Sequence, residues 1–444
     1  MGTVAAAPGT TEYRVVLVQP ESHGVLALAS AGSYRLPRVR IPSMSRPAQQ
    51  LQKAIKATWG VDAFILDFPR STHGTSFCAV MELLSSPISS ALKEVAIDRI
   101  MNSELTSEER HECQLLLESG SGNPMARVGW IDEAIRWVAS ATGRRFSAKK
   151  EIVQLNAGGG FALLWFRSND GGGYWLKATS TPNEHELSIT TCLAQRCPEF
   201  SPRLIAIRQE WNAWLMEDAG ELLTDPPGEA ALAGAVRSFA SLQVRTVDAV
   251  DVLLAAGTFD QRFRVLRRHL DEVILFLIDA MAQHTSKNVT PLSRDRVVEL
   301  GKILHDAFSR LEVLKIPDAL IHNDLNLGNI LCDGTNCVFI DWSEGAIGNP
   351  FLSLERLRLL SKNPTAELNR LYGEYWREYL TEETVDRGLG LTPLLSIFAY
   401  LYGRGDWLED TSKVTPQFES YARSLARHMD RAAQNPELLE ALCR

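Results

Sequence analysis

The sequence has no run of eighteen apolar residues, the length that a membrane-spanning helix requires, so no helical span is expected. Its first residues, MGTVAAAPGT, lack both the basic and the apolar part of a secretory signal, which points to the cytoplasm. Cysteine is scarce: seven residues, an odd number, with no C-x-x-C pair. That excludes a disulfide frame and a zinc site and favours reduced thiols, and the spacings of Cys192 with Cys197 and of Cys332 with Cys337 read as incidental. Positive charge is in deficit, with 46 Lys and Arg against 54 Asp and Glu and a net charge of -8. Such a chain is not a nonspecific binder of nucleic acid, whose phosphates reward clustered cations, and it leaves room for a cationic substrate. Internal repeats and low-complexity tracts are also missing. What remains, 45% apolar and 23% charged residues over 444 positions, is a globular composition with length for two or three domains.

The richest stretch is residues 319–350, ALIHNDLNLGNILCDGTNCVFIDWSEGAIGNP. Asp324 and Asn329 lie in a polar loop between apolar runs, and Asp341 ends the second run. Residues 330–332 and 337–340 read as strands joined by Asp333-Gly334-Thr335-Asn336, whose Asp-Gly start is a hairpin signal. A hairpin returns Asp341 to the side of Asn329, so two hard oxygen donors face one point, with Asp324 a few residues away. Such donors suit Mg²⁺, which is usually held by one or two carboxylates plus substrate phosphates.

The pattern H-N-D-x-N-x-x-N followed by I-D-W resembles the catalytic segment of the aminoglycoside phosphotransferase and choline kinase-like family. That family writes it H-G-D-x-H-x-x-N, then I-D-[WF], within a protein-kinase-like fold. The resemblance implies that Asp324 is the catalytic base, that Asn329 and Asp341 hold Mg²⁺, and that His322 braces the loop. Asn326, where the family has His, is counted with the catalytic residues; Asn323 stands where it has Gly. Both departures leave the carboxylates intact.

Before this segment the chain reads as two further regions. Strands at residues 13–19, 25–29, 63–66 and 76–83 surround a helix at 48–59 that is stopped by Gly60, and a second helix is expected at 131–140. The order resembles a Nudix domain. The metal-binding helix of that family carries three acidic positions, which here are Ala54, Ala57 and Thr58. The resemblance therefore implies a catalytically inactive domain; an unrelated small domain is the alternative. Lys53 and Lys56 give its helix a basic face suited to docking on the acidic remainder of the chain or on a second copy in a homodimer. A polar break at residues 141–145 marks a boundary.

Three strands, at 153–155, 161–167 and 174–178, are then punctuated by Gly158-Gly159-Gly160 and Gly171-Gly172-Gly173. Backbone without Cβ atoms can approach phosphates closely, so residues 158–160 suit a nucleotide-covering loop, although a triple Gly also makes an ordinary hairpin turn. Lys177 sits in an apolar strand, where an amine needs an anionic partner; Glu186, early in the following helix, is the candidate. In the resembled family such a lysine contacts the α- and β-phosphates of ATP. By the same resemblance Met216, Glu217 and Asp218 form the linker that meets the adenine. Helices are expected at 230–242, 259–284, 294–314, 352–360, 365–379, 392–402 and 417–435.

The expectation is an α+β chain: a small α/β Nudix-like domain at 1–140, a β-rich kinase-like N-lobe with its hinge at 146–224, and a helical C-lobe at 225–444, the last two forming a bilobal protein-kinase-like fold. The function implied is transfer of the ATP γ-phosphate, with Mg²⁺, to a hydroxyl of an amine-bearing or polyhydroxy small molecule. Trp342, Glu344, Asp406 and Trp407, with Glu355, Glu409 and Asp410, are acidic and aromatic candidates for the acceptor, or else a solvated helix end. No D-F-G or A-P-E segment supports a protein kinase. The other reading is a nucleotide-binding pseudokinase that serves as a scaffold.

Because residues 49–61 contain no carboxylate to hold a metal and activate water, the full-length protein is expected to release no phosphate or nucleoside monophosphate from nucleoside diphosphate derivatives in Mg²⁺. Chromatography of the reaction mixture checks this, and measurable Mg²⁺-dependent pyrophosphohydrolysis would contradict it.

Overall fold

In the computed structural model the chain divides into two compact units, residues 1–187 with 203–218, and residues 188–202 with 219–444. Placement is described for all residues except 1–8, 31, 44–45, 70–75, 85–90, 119–122, 147–150, 159, 169–171, 224–226, 285–288, 334–335, 361–364 and 444.

The first unit is built on β1 (Thr10–Val18), whose Val15-Val16-Leu17-Val18 is completely buried. An unbroken apolar run suits a strand covered on both faces. Val15 and Leu17 enter the core that holds Leu51 and Ile55 of the helix Pro47–Trp59. Val16 and Val18 enter the opposite one, with Cys113, Leu116 and Leu117 of the helix Ser107–Glu118. β2 (Val25–Ser30), β3 (Ser33–Arg35), β4 (Arg38–Pro42), β5 (Ala63–Asp67), β6 (Ser76–Leu83) and β7 (Leu92–Val95) complete a seven-stranded sheet of order β3-β2-β1-β6-β5, with β4 on β1 and β7 on β2. β1 and β6 run parallel. The helix Pro47–Trp59 opens on a proline, whose missing N–H costs nothing in the first turn, and closes on Gly60 in the left-handed region, φ 70°. Sequence periodicity does not reveal the helix Ser107–Glu118. It is anchored from below: Glu109 is fully buried and takes two hydrogen bonds, 2.9 and 2.7 Å, from the Arg14 guanidinium.

A second, antiparallel sheet of order β11-β12-β10-β9-β8 follows in the same unit: β8 (Ile152–Asn156), β9 (Phe161–Arg167), β10 (Gly173–Thr179), β11 (Leu204–Arg208) and β12 (Ala213–Glu217). The helix Trp130–Thr142, ended by Gly143, sends Trp130, Ile131, Ala134 and Val138 into the core of this sheet beside Leu164, Phe166, Leu176 and Leu215. Gln154, buried on β8, accepts from the Ile65 N–H and donates to the Ile65 carbonyl, each at 2.8 Å. A side-chain amide thereby extends the β5 ladder, and the chain on either side of Gly143 is one packed body.

The second unit is mainly helical: Glu229–Thr246, Leu270–Ala282, Arg294–Leu314, Phe351–Leu360, Thr365–Trp376, Glu382–Tyr402 and Pro416–Ala432 are its longer helices. Two small sheets sit among them, β13 (Glu221–Leu222) with β16 (Ile330–Asp333) and β17 (Asn336–Phe339), and β14 (Phe259–Gln261) with β18 (Gly345–Gly348) and β15 (Ala319–His322). β14 corrects the helix expected at 259–284. Its backbone pairs in parallel with β18, a distant partner that local periodicity cannot show. Gly348 permits the approach, since a Cβ there would lie 2.5 Å from the Gln261 carbonyl oxygen. The helix 392–402 is also longer than expected, running through Pro393 from Glu382.

β15 is clamped by buried side chains. Gln243 donates to the Leu320 and Pro350 carbonyls at 2.8 and 2.9 Å, while Thr246 Oγ1 accepts from the Leu320 N–H at 3.1 Å. β16 and β17 form the expected hairpin, Gly334 and Thr335 of its turn lying outside the described residues. Its register sets Cys332 opposite Cys337, and the two form a disulfide with Cα atoms 4.2 Å apart. The expectation of reduced thiols throughout is wrong here, because strand register and not the count of intervening residues decides which side chains meet.

Two measurements follow. Alkylation of the denatured, unreduced protein should label five of the seven cysteines, namely Cys78, Cys113, Cys192, Cys197 and Cys443, and labelling of all seven would refute the bridge. The second concerns Glu82, buried on β6, which accepts from the Gly129 N–H at 2.8 Å. Burial pushes its carboxyl from 4.5 up to about 7. Between those values the folded chain holds a proton that the unfolded chain has lost, so stability falls as pH rises through this window, by up to about 3 kcal/mol. Glu82→Gln should raise the melting temperature at about pH 8 and change it little at about pH 4. Equal shifts at both pH values would contradict this.

Candidate functional site

β15 leads into the candidate site of the second unit. All four of its residues are buried, and the chain then turns through Asn323, Asp324, Leu325 and Asn326 into a short 3₁₀ turn, Leu327–Asn329. Asn326 holds this turn: its Oδ1 accepts from the Gly328 N–H at 2.8 Å and its Nδ2 donates to the Asp324 carbonyl at 3.1 Å. A side-chain oxygen capping the first free amides is what an N-cap asparagine supplies. Asn329 is buried and donates through Nδ2 to the Asp324 carbonyl, 2.8 Å, and to Asp324 Oδ2, 3.1 Å. The amide thus orients the carboxylate, and its own Oδ1 is left without a hydrogen-bond donor among the described residues.

The return strand is tied to the same loop. The Ile340 N–H donates to the Asn329 carbonyl at 3.1 Å. His322, fully buried, has Nε2 2.9 Å from the Ile340 carbonyl. A carbonyl only accepts, so this ring carries its proton on Nε2. Asp341 follows in the left-handed region, φ 65° and ψ 62°. That conformation costs an L-residue roughly 1–2 kcal/mol, and Asp tolerates it better than most. Ser343 Oγ donates to Asp341 Oδ1 at 3.2 Å. Asp324, Asn329 and Asp341 are therefore brought together as the hairpin requires.

The acceptor candidates fare differently. Trp342 is buried, its ring 4.5 Å from that of His322 and its Nε1 donating to the Phe339 carbonyl. Trp407 lies in the helical core against Phe276 and Phe418, and Asp406 pairs with Lys413 at 2.8 Å. These are packing and surface positions, outside the lining of the cavity beside the loop. Glu344 is exposed at the surface, but partial desolvation of its carboxyl raises its pKa, the Asp324 and Asp341 carboxylates add to the rise, and Arg356 opposes it. That cavity, about 330 Å³, is lined by His322 and Asn323, by Glu355 and Arg356 of the helix Phe351–Leu360, by Ser396 and Tyr400 of Glu382–Tyr402, and by Tyr421, Ser424 and His428 of Pro416–Ala432. Apart from His322, Asn323 and Glu355, these residues had no signal in the sequence, since single side chains from three separate helices form no motif.

In the first unit Lys177 is buried on β10 and its Nζ lies 2.6 Å from Glu186 Oε1, the partner expected from the sequence. The rings of Phe161 and Trp214 flank the ammonium at 5.6 and 5.7 Å. Of the glycine loop, Gly159 lies outside the described residues. Gly158 has φ 117° and a Cβ there would sit 3.1 Å from Asp67 Oδ1, so this loop closes against the end of β5. The Gly160 carbonyl accepts from the Ser180 N–H at 3.0 Å. Met216 is buried with Leu187 and Trp214. The N–H groups of Glu217 and Asp218 donate to the Arg203 and Gly173 carbonyls, both at 3.0 Å, so these two amides are already engaged.

Comparison with known proteins bears on this constellation. The model of the family described as "Phosphotransferase enzyme family" matches residues 158–389, more than half of the chain. No curated protein matches it. Among solved structures the chain is similar to a choline/ethanolamine kinase family protein from Mesorhizobium loti, at 16% identity over 70% of this chain and 98% of that one, TM-score 0.48. It is similar to a macrolide 2'-phosphotransferase from Brachybacterium faecium at 14% identity over 66% and 97%, TM-score 0.44. An ADP-bound aminoglycoside phosphotransferase is similar at 14% identity over 67% and 97%, TM-score 0.43. The family match begins after the first sheet, and the Nudix resemblance of that region is not among these findings. Since the match takes in Lys177, Asp324, Asn329 and Asp341 and spans more than half of the sequence, the chain belongs to the phosphotransferase enzyme family, enzymes that move phosphoryl groups to hydroxyl acceptors.

Proposed function

We propose that the protein transfers the γ-phosphoryl group of ATP to a hydroxyl of a small metabolite or antibiotic, polyhydroxy or amine-bearing, and that the 330 Å³ cavity holds the acceptor. The observation that carries this reading is Asp324, whose carboxylate is oriented by the Asn329 amide in the loop that also supplies His322 and Asn323 to the cavity wall. A carboxylate base in the loop that borders a small pocket is what hydroxyl activation needs.

The acceptor oxygen attacks the γ-phosphorus, the bond to the β,γ-bridging oxygen breaks, ADP leaves, and the hydroxyl proton passes to Asp324. The donor set fits Mg²⁺, since Asn329 Oδ1 and the Asp341 carboxylate are hard oxygens on adjacent backbone. Held by Asn329 and Asp341, Mg²⁺ would supply positive charge to offset the negative charge that develops in the transfer. Lys177, held by Glu186, is assigned to the donor phosphates, the glycine loop to their cover, and the backbone following Met216 to the adenine. His322 does not touch the reacting atoms; it ties the strand before Asp324 to the residue before Asp341. The first sheet is assigned a non-catalytic role. Survival of the base, both metal donors and the lysine favours an enzyme over a pseudokinase scaffold.

Asp324→Asn should lower turnover by about 10²–10⁴-fold and leave ATP affinity nearly intact. The test is a panel of aminoglycosides, amino alcohols, sugars and nucleosides, read by the mass gain of one phosphoryl group, with ATP binding followed by calorimetry. Near-normal turnover in the variant would remove Asp324 as the base.

A further inference from the structure

Arg356 is the anomaly of the acceptor cavity. Its guanidinium carbon lies 4.1 Å from the centre of the Tyr400 ring, and its Nη2 is buried without a hydrogen-bond acceptor. The neighbouring Glu355 is engaged elsewhere, by Arg358 at 2.9 Å. Among the described residues no carboxylate lies within ion-pair distance of Arg356. Glu344 acts on it only through space. A guanidinium taken out of water is costly unless acceptors receive its N–H groups, and a tyrosine face offsets only part of that cost. Its planar fork matches a carboxylate, which accepts two parallel hydrogen bonds.

We infer that the acceptor is a compact hydroxy acid whose carboxylate is received by Arg356 while its hydroxyl faces the catalytic loop. The hydroxyl end of this inference rests on the phosphotransfer reading above; the anion-binding end stands on Arg356 alone. The carboxylate does not react and serves to position the molecule. A volume of about 330 Å³ lies at the small end for ligand sites and suits a monosaccharide-sized acid. Leu352, Ile397 and Leu425 line the cavity between its polar ends, and Ser396 and Ser424 add hydroxyl partners.

Two trios that differ in charge at nearly constant size provide the test on the full-length protein: gluconate, glucose and glucosamine; glycerate, glycerol and 2-amino-1,3-propanediol. Two readouts are taken with each, phosphoryl transfer by product mass and protection of Arg356 from phenylglyoxal, the modified peptide being quantified by mass spectrometry. The acids should be the better acceptors in kcat/KM by about tenfold or more, the scale of one charge-assisted hydrogen bond. They alone should slow the modification of Arg356. Arg356→Gln should lose the preference for the acid, and Arg356→Lys should retain part of it. Equal modification of Arg356 with and without the acids overturns the inference, as does transfer to the neutral or cationic members at equal or higher kcat/KM. Because protection needs no turnover in the wild-type protein, it separates the two readings. Protection by the acids without transfer to any compound upholds the anion site and overturns the phosphotransfer reading instead.

Discussion

The contact on which the candidate site depends is the hydrogen bond from His322 Nε2 to the Ile340 carbonyl. It joins the end of one strand to the end of another, with Asp324, Asn329 and Asp341 carried on either side. Asp324 lies just beyond His322, Asp341 just beyond Ile340, and Asn329 is bound to both neighbourhoods, through its amide to Asp324 and through its carbonyl to Ile340. Three polar groups are thus located by backbone that is itself buried and hydrogen-bonded. Removing water from these bonds makes them stronger and makes any partner left without one costly, so the cluster has one low-energy arrangement.

Support for that cluster comes from further out. Gln243, from a helix nearly eighty positions before the loop in the chain, spends its amide on the carbonyls of Leu320 and Pro350 and receives the Tyr372 hydroxyl. All four residues of this relay are interior. The first unit uses the same device at Gln154, whose amide completes the ladder of β5, and at Arg14 with Glu109. Buried polar side chains that saturate distant backbone specify which element neighbours which, a task that apolar packing alone performs loosely.

The ligand cavity inverts this pattern. Where the structural amides and the Arg14 guanidinium are satisfied by the protein, Arg356 is not. Its guanidinium carbon lies over the Tyr400 ring, and its Nη2 meets no acceptor among the described residues. Among the described residues the indole N–H groups of Trp130 and Trp376 are also buried without an acceptor, but they lie in packed cores, whereas Arg356 lines a cavity.

The sequence by itself determined what depends on neighbours in the chain. The helix Pro47–Trp59 and its Gly60 stop, β6, β9 and the helix Arg294–Leu314 follow from periodicity and caps. Asp324, Asn329 and Asp341 were legible because one loop and one short hairpin carry all three, and Lys177 with Glu186 because a strand is followed directly by a helix. Tertiary structure alone decided the rest. β14 became a strand because β18 was there to pair with it. Cys332 met Cys337 because of register, and helix Trp130–Thr142 joined the second sheet because its apolar face found a core beyond Gly143. Trp342 and Trp407, polar-looking by their acidic company, went inside because indole burial outweighs the local charge pattern. The cavity beside the loop draws Arg356, Tyr400 and His428 from three helices. No spacing along the chain encodes that meeting, since helix packing, not sequence distance, brings their side chains to one point.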